Sequence, residues 1–359
     1  MNSFEQSLKI ESNLPLLTEF FFALVNDNYS QETVFNYRRD LLILDSFLSK
    51  ESMSFKDLNK LAISKYKQYL RSGSYLKNYQ EAYRDSENPI LERANKISRS
   101  KGPRRASMYS GRLGSRSVNR MLSALRSYLR FLNDSDYKDM PLAPDSIKLV
   151  RTERKEAQVA DFEDLTKLIE APEIYEPDPM VKYRNRAILE LLFSTGMRIS
   201  ELINLNLEDI KISDDKDIQE SKVYIMGKGK KQRFVYFTDR CKHYLERYLK
   251  ARDDDYPALF IPYRGLRSGT KDPYIVRLSV NYVQSKIKQY RKLVGIIVPT
   301  SAHSLRHGFA TYLAENGANP AAIQRLLGHE SLQTTSKYVH SNDRAAEDAH
   351  KKFHPLQSD

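Results

Sequence analysis

Arg198, Lys228, His303, Arg306, His329 and Tyr338 all fall in the C-terminal half of this chain, and together they have the types that phosphoryl transfer through a tyrosine needs. A phosphodiester carries one negative charge and its pentavalent transition state about two, so fixed cations stabilise the transition state more than the ground state. An arginine fork grips two phosphate oxygens at once. A tyrosine oxygen can store the phosphodiester bond covalently, while a lysine protonates the departing 5′ oxygen. This chemistry calls for neither a metal nor a nucleotide, and no cofactor is expected.

Each fragment alone says less than the set. In "STGMRISELINL", Gly196 closes a helix, Arg198 follows, and Glu201 opens the next helix within reach of the guanidinium. An ordinary surface ion pair would look the same. "MGKGKKQRF" holds Lys228 in a glycine-flanked turn that lacks the phosphate-loop pattern. Most lysines on hairpin tips are merely solvated, although such a turn can deliver an ammonium as a proton donor. In "SAHSLRHGFATYLAENG", Ser301 is a helix cap, and His303 and Arg306 stand one turn apart on one face, with Leu305, Phe309 and Leu313 on the other. Two cations sharing a face favour an anion between them, and the spacing matches no zinc site. In "LLGHESLQTTSKYVH", His329 follows the helix-ending Gly328, and Tyr338 lies about two turns beyond the capping Ser331. The longer "ANPAAIQRLLGHESLQTTSKYV" also has the cadence of a helix-turn-helix DNA reader. Cys241 with nearby His243 suggests a thiol nucleophile, but both lie in a Lys/Arg-rich helical stretch and that role is set aside.

Positioning these groups takes more than one folded unit, and 359 residues suit two domains. "LPLLTEFFFALV", "QETVFNYRRDLLILDSFLSK" capped by Ser30, "SFKDLNKLAISKYKQYLRSG" ending at Gly73, and "SRSVNRMLSALRSYLRFLND" read as four helices of a small bundle. Met121, Leu122, Leu125, Leu129 and Leu132 form the core side of the last, with Arg120, Arg126 and Arg130 around the remainder. Residues 73–115 lose periodicity and read as a long basic insertion. Residues 1–145 are therefore expected to form a helical domain, 146–160 a linker, and 161–359 a mainly helical domain carrying a small antiparallel sheet. The sheet signal is "SKVYIMGKGKKQRFVYF", where Val223 and Ile225 alternate with polar neighbours.

The net charge of +12 is uneven: between Arg93 and Arg120 stand Arg93, Lys96, Arg99, Lys101, Arg104, Arg105, Arg112, Arg116 and Arg120, with no acidic residue. A polyanion is the natural partner, and nucleic acid fits better than an anionic membrane because no large apolar helix face accompanies the charge. No apolar run approaches the roughly 18 residues of a membrane span, the N-terminus lacks signal-peptide grammar, and a lone cysteine suits a reducing cytoplasm.

The motifs "TGMRISEL", "GKGKKQR", "HSLRHGFAT", "LLGHESLQTTSKYVH" and the late His354-Pro355 closely resemble the tyrosine recombinase (phage integrase) family, and within it the Xer-like enzymes that resolve chromosomes and plasmids. They span the second domain in the family's order; the first matches more loosely, through "SVNRMLSALRSYLRFL". The resemblance implies a site-specific recombinase whose N-terminal core-binding domain and C-terminal catalytic domain form a C-shaped clamp on double-stranded DNA. It also implies a Holliday junction and a homotetramer on synapsed DNA, or a heterotetramer with a paralogue, joined by a C-terminal exchange helix. Arg198 and Arg306 would grip the scissile phosphate, with Glu201 as support. His303 and His329 would hydrogen-bond the phosphate, Lys228 would be the general acid, and Tyr338 the nucleophile of a 3′-phosphotyrosyl bond. Arg104, Arg105, Arg116, Arg120, Arg126, Arg130, Lys230, Lys231 and Arg233 are the expected DNA contacts. The implied setting is the cytoplasm, on the nucleoid. Integration or excision of a mobile element is the alternative task. A type IB topoisomerase-like enzyme and a non-catalytic helix-turn-helix regulator are remoter.

Overall fold

The computed structural model describes residues 8, 10–82, 112–152, 160–211, 222–226, 232–263 and 272–328. The chain divides into two compact units, Met1–Lys155 and Glu156–Asp359.

In the first unit the helices are α1 (Leu17–Asn26), α2 (Gln31–Lys50), α3 (Lys60–Ser72), α4 (Tyr75–Ala82) and α5 (Ser115–Asp134). Ser30 caps α2 by accepting the Thr33 N–H at 3.2 Å, and Gly73, at φ 87°, ends α3. Met121, Leu122, Leu125, Leu129 and Leu132 of α5 are buried as their spacing requires, against Phe20, Leu41, Phe47 and Tyr66.

Two stretches differ from expectation. Residues 75–82, expected as the start of an aperiodic insertion, form α4, because Tyr75 and Tyr79, one turn apart, sink into the core. The remainder of that insertion from residue 83 to 111, Arg104 and Arg105 included, lies outside the described residues. Within the expected linker, Ile147 is buried in this unit's core, the Val150 N–H donates to Asn119 Oδ1 at 2.7 Å, and Asn119 Nδ2 donates to the Val150 carbonyl at 2.9 Å. Neighbouring prolines and charges conceal that apolar anchor in the sequence.

The second unit holds α6 (Phe162–Tyr175), α7 (Pro179–Thr195), α8 (Ile199–Asn204), β1 (Ile210–Lys211), β2 (Lys222–Met226), β3 (Gln232–Tyr236), α9 (Asp239–Ala251), α10 (Val280–Leu293), α11 (Ala302–Glu315) and α12 (Pro320–Leu327). It is mainly helical with a three-stranded antiparallel sheet in the order β1-β2-β3. Val223 faces Val235 and Ile225 faces Arg233 across the β2–β3 pair, so these residues share the inward face. Cys241 is buried on α9, and burial, followed by the charge of Glu190, pushes its thiol well above the ordinary range, which removes it as a nucleophile.

Candidate active site

Gly196 ends α7 at φ 62°, and a Cβ there would stand 2.3 Å from Phe309 Cδ1, so only glycine fits. The turn delivers Arg198 to the N-terminus of α8. From the first turn of α8, Glu201 accepts the Arg198 backbone N–H at 2.7 Å and Arg198 Nη1 at 3.0 Å. Arg233, from β3, reaches the same carboxylate with two parallel bonds: Nη1 to Oε1 at 2.9 Å and Nη2 to Oε2 at 2.8 Å. These four donors use the lone-pair capacity of a carboxylate, so Glu201 is held in one orientation. Burial pushes the Glu201 carboxyl up, but the hydrogen bonds and charges of Arg233 and Arg198 outweigh it and leave the group below its ordinary range.

The other half of the site is the end of α12. Asn319 caps this helix at the Ala321 N–H, Pro320 begins it, and Gly328 closes it at φ 63°. Its final carbonyls meet three guanidinium groups. Arg233 Nε donates to Leu326 O at 3.1 Å, Arg306 Nη2 to Leu327 O at 2.6 Å, and Arg198 Nη2 to Gly328 O at 3.3 Å. Arg306 Nη1 also holds the Gly196 carbonyl at 2.8 Å, which ties the end of α7 to the end of α12. Carbonyls at a helix C-terminus carry partial negative charge, so cations are favourable there. Three guanidiniums and one carboxylate meet at this junction, so positive charge is in formal excess there. A cavity of about 450 Å³ is bordered by Arg198, alone of the three arginines, together with Ser200, Glu201, Asn204, Asp209, Tyr224 and Gln232.

His303 stands exposed at the start of α11, which Ser301 caps at the Ser304 N–H. Its Nε2 lies 2.8 Å from Nε2 of His307, a contact that requires at least one neutral imidazole. Partial desolvation, then repulsion from Arg306 and Arg198, hold the His303 pKa below the ordinary range. His303 and Arg306 differ in burial, not sharing one exposed helix face as expected: His303 is exposed, whereas Arg306 is only 4% exposed, its Nη1 and Nη2 donating to the Gly196 and Leu327 carbonyls.

The structure thus gathers Arg198, Glu201, Arg306 and, electrostatically coupled to both arginines, His303. Lys228, His329 and Tyr338 lie outside the described residues, as do Lys230 and Lys231. Four expected DNA contacts have internal partners. Arg120 pairs with the buried Asp40, Arg126 donates to the Ile147 carbonyl, Arg130 meets Asp145 at 2.9 Å, and Arg233 belongs to Glu201. Arg116 is exposed. The expectation that Arg233 contacts DNA overlooked its inward parity with Val235, a signal that it needs an internal partner, although the sequence does not say which. His307, one turn from His303, went unassigned. No group of three or more potential metal ligands occurs among the described residues, and no helix among them is long and apolar enough to cross a membrane.

Residues 158–345 match the model of the phage integrase family. The chain is 34% identical over 252 residues to tyrosine recombinase XerC of Thermodesulfovibrio yellowstonii, covering 67% of this chain and 77% of that protein. Against tyrosine recombinase XerC of Staphylococcus epidermidis the identity is 28% over 341 residues, covering 94% and 96%. The fold is similar to that of the XerH site-specific recombinase bound to its difH substrate, with a TM-score of 0.60 at 20% identity over 90% of this chain and 80% of that one. The chain belongs to the phage integrase family and is a Xer-like tyrosine recombinase, an enzyme of site-specific recombination.

Proposed function

We propose that Arg198 and Arg306 hold the scissile phosphate of a double-stranded recombination site, and that Tyr338 attacks it. In this reaction the Tyr338 oxygen bonds to phosphorus, the bond from phosphorus to the 5′ oxygen breaks, and Lys228 gives that oxygen its proton. Strand exchange reverses the same step with a 5′ hydroxyl from the partner duplex, through a Holliday junction. His303 and His329 hydrogen-bond the phosphate oxygens, and Glu201 keeps Arg198 aimed. The carrying observation is the convergence of Arg198 and Arg306 on the carbonyls of Leu327 and Gly328, immediately before the segment that contains His329 and Tyr338. The similarity to XerC proteins favours resolution of chromosome or plasmid dimers in the cytoplasm, by a tetramer of this chain or one shared with a paralogue. Residues 1–145 and 161–359 serve as DNA-clamping and catalytic domains in this proposal.

The test is incubation with a nicked suicide substrate carrying the cognate site. Wild type is expected to form an SDS-resistant protein–DNA adduct and Tyr338→Phe none. Absence of an adduct from wild type, or its persistence in Tyr338→Phe, would contradict the assignment.

A further inference from the structure

We infer that Arg233, expected from its sequence context to contact DNA, is instead a positioning residue for the cleavage reaction, acting through Glu201 on Arg198; this rests on the proposed phosphate site. The Arg233 side chain joins three elements, β3, α8 and α12. Its terminal nitrogens hold both oxygens of Glu201, and its Nε holds the Leu326 carbonyl at the end of α12. The side chain is 12% exposed, against 41% for Arg198, so Arg233 is the buried member of the pair and Arg198 the accessible one. Gly328 carries the mark of this packing, since a Cβ there would stand 2.9 Å from Arg233 Nη1 and 3.0 Å from its Cζ.

The energetics point the same way. Glu201 alone could neutralise Arg198 and swing its guanidinium toward the carboxylate. With Arg233 claiming both oxygens in a planar two-bond geometry, Arg198 is left one bond to Oε1 and one to Gly328 O, which fixes its plane without surrounding it. Oriented charge is what phosphoryl transfer needs, because a donor fixed in advance spends nothing on reorganisation in the transition state. All three guanidinium nitrogens of Arg233 already donate, two to Glu201 and one to Leu326 O, and the residue does not line the cavity that Arg198 borders.

The experiment compares wild type, Arg233→Gln, Arg233→Lys, Arg198→Lys and the Arg198→Lys/Arg233→Gln double variant. It measures single-turnover adduct formation on the suicide substrate and DNA affinity across salt concentrations. Arg233→Gln is expected to slow adduct formation by roughly 30- to 100-fold while DNA affinity changes by less than about 3-fold. Arg233→Lys, which keeps the charge and supports folding, should recover only part of that rate because it cannot bond both oxygens in parallel. In the Arg198→Lys background, adding Arg233→Gln should cost under about 3-fold more, because the orientation it supplies is already lost. The inference is overturned if the losses multiply in the double variant. It is equally overturned if Arg233→Gln lowers affinity in step with rate and reduces the log–log salt slope by about one, the signature of a phosphate contact. A wild type that forms no adduct overturns the proposed function itself, and this inference with it.

Discussion

On α5 of the first unit, Arg120, Arg126 and Arg130 each have a separate partner: buried Asp40, the Ile147 carbonyl and Asp145. In the second unit Arg198, Arg233 and Arg306 come from three different elements and converge on one carboxylate and three successive carbonyls. The first arrangement disperses charge and straps a helix to its surroundings. The second gathers three guanidiniums at one junction, of which Arg198 alone borders an open cavity. What an arginine does is decided by the number of acceptors that share it, and the residue type alone is silent on that.

The largest effect that tests this contrast is on cleavage. Arg306→Gln should reduce single-turnover adduct formation by about 10³-fold, whereas Arg130→Gln should leave it within about 2-fold. Equal losses in the two would erase the distinction between the units.

A second test concerns the junction that sets Arg198. Gly196→Ala combines left-handed backbone with collision against Phe309, and should cost about 2–4 kcal/mol in urea unfolding. Gly295→Ala also sits at positive φ (78°) but in open space, so it should cost only about 1 kcal/mol. A small cost at Gly196 would mean that the end of α7 relaxes freely.

Much of this architecture was legible in the sequence, because it rests on local signals. Ser30, Asn319-Pro320 and Gly196 act as the punctuation their types suggest, and the apolar spacing of α5 identifies its buried side. α4 escaped because its anchors, Tyr75 and Tyr79, sit among polar residues, and their burial depends on helices distant in sequence. At the site, Arg198, Glu201, His303 and Arg306 were singled out by type, spacing and the family resemblance, and the structure brings them together. The exposure of Arg306 and the allegiance of Arg233 were not legible, because both depend on where the end of α12 packs.

The two buried carboxylates extend the comparison to pH. In the first unit burial pushes Asp40 above its ordinary 3.8, outweighing Arg120 and Arg39, so its contribution to stability declines as pH rises through the acid range. In the second unit Glu201 is held below its ordinary 4.5, so its contribution is present above that value and is lost as pH falls through the lower folded-state value. Unfolding free energies measured against pH should show Asp40→Asn removing the first slope and Glu201→Gln the second. Slopes of the same sign would contradict the opposed environments. His303 should titrate below 6.5 by NMR, and Arg198→Gln should raise its pKa by removing one source of repulsion. The smallest effect is expected at the Arg130–Asp145 pair, both exposed: Arg130→Ala should change stability by less than about 0.5 kcal/mol.

The most direct measurement replaces the scissile phosphate with a neutral methylphosphonate. If Arg306 serves to offset phosphate charge, the roughly 10³-fold defect of Arg306→Gln on ordinary DNA should shrink to about 10-fold or less on the neutral substrate. An undiminished defect would contradict the assignment of this arginine cluster as the phosphate site.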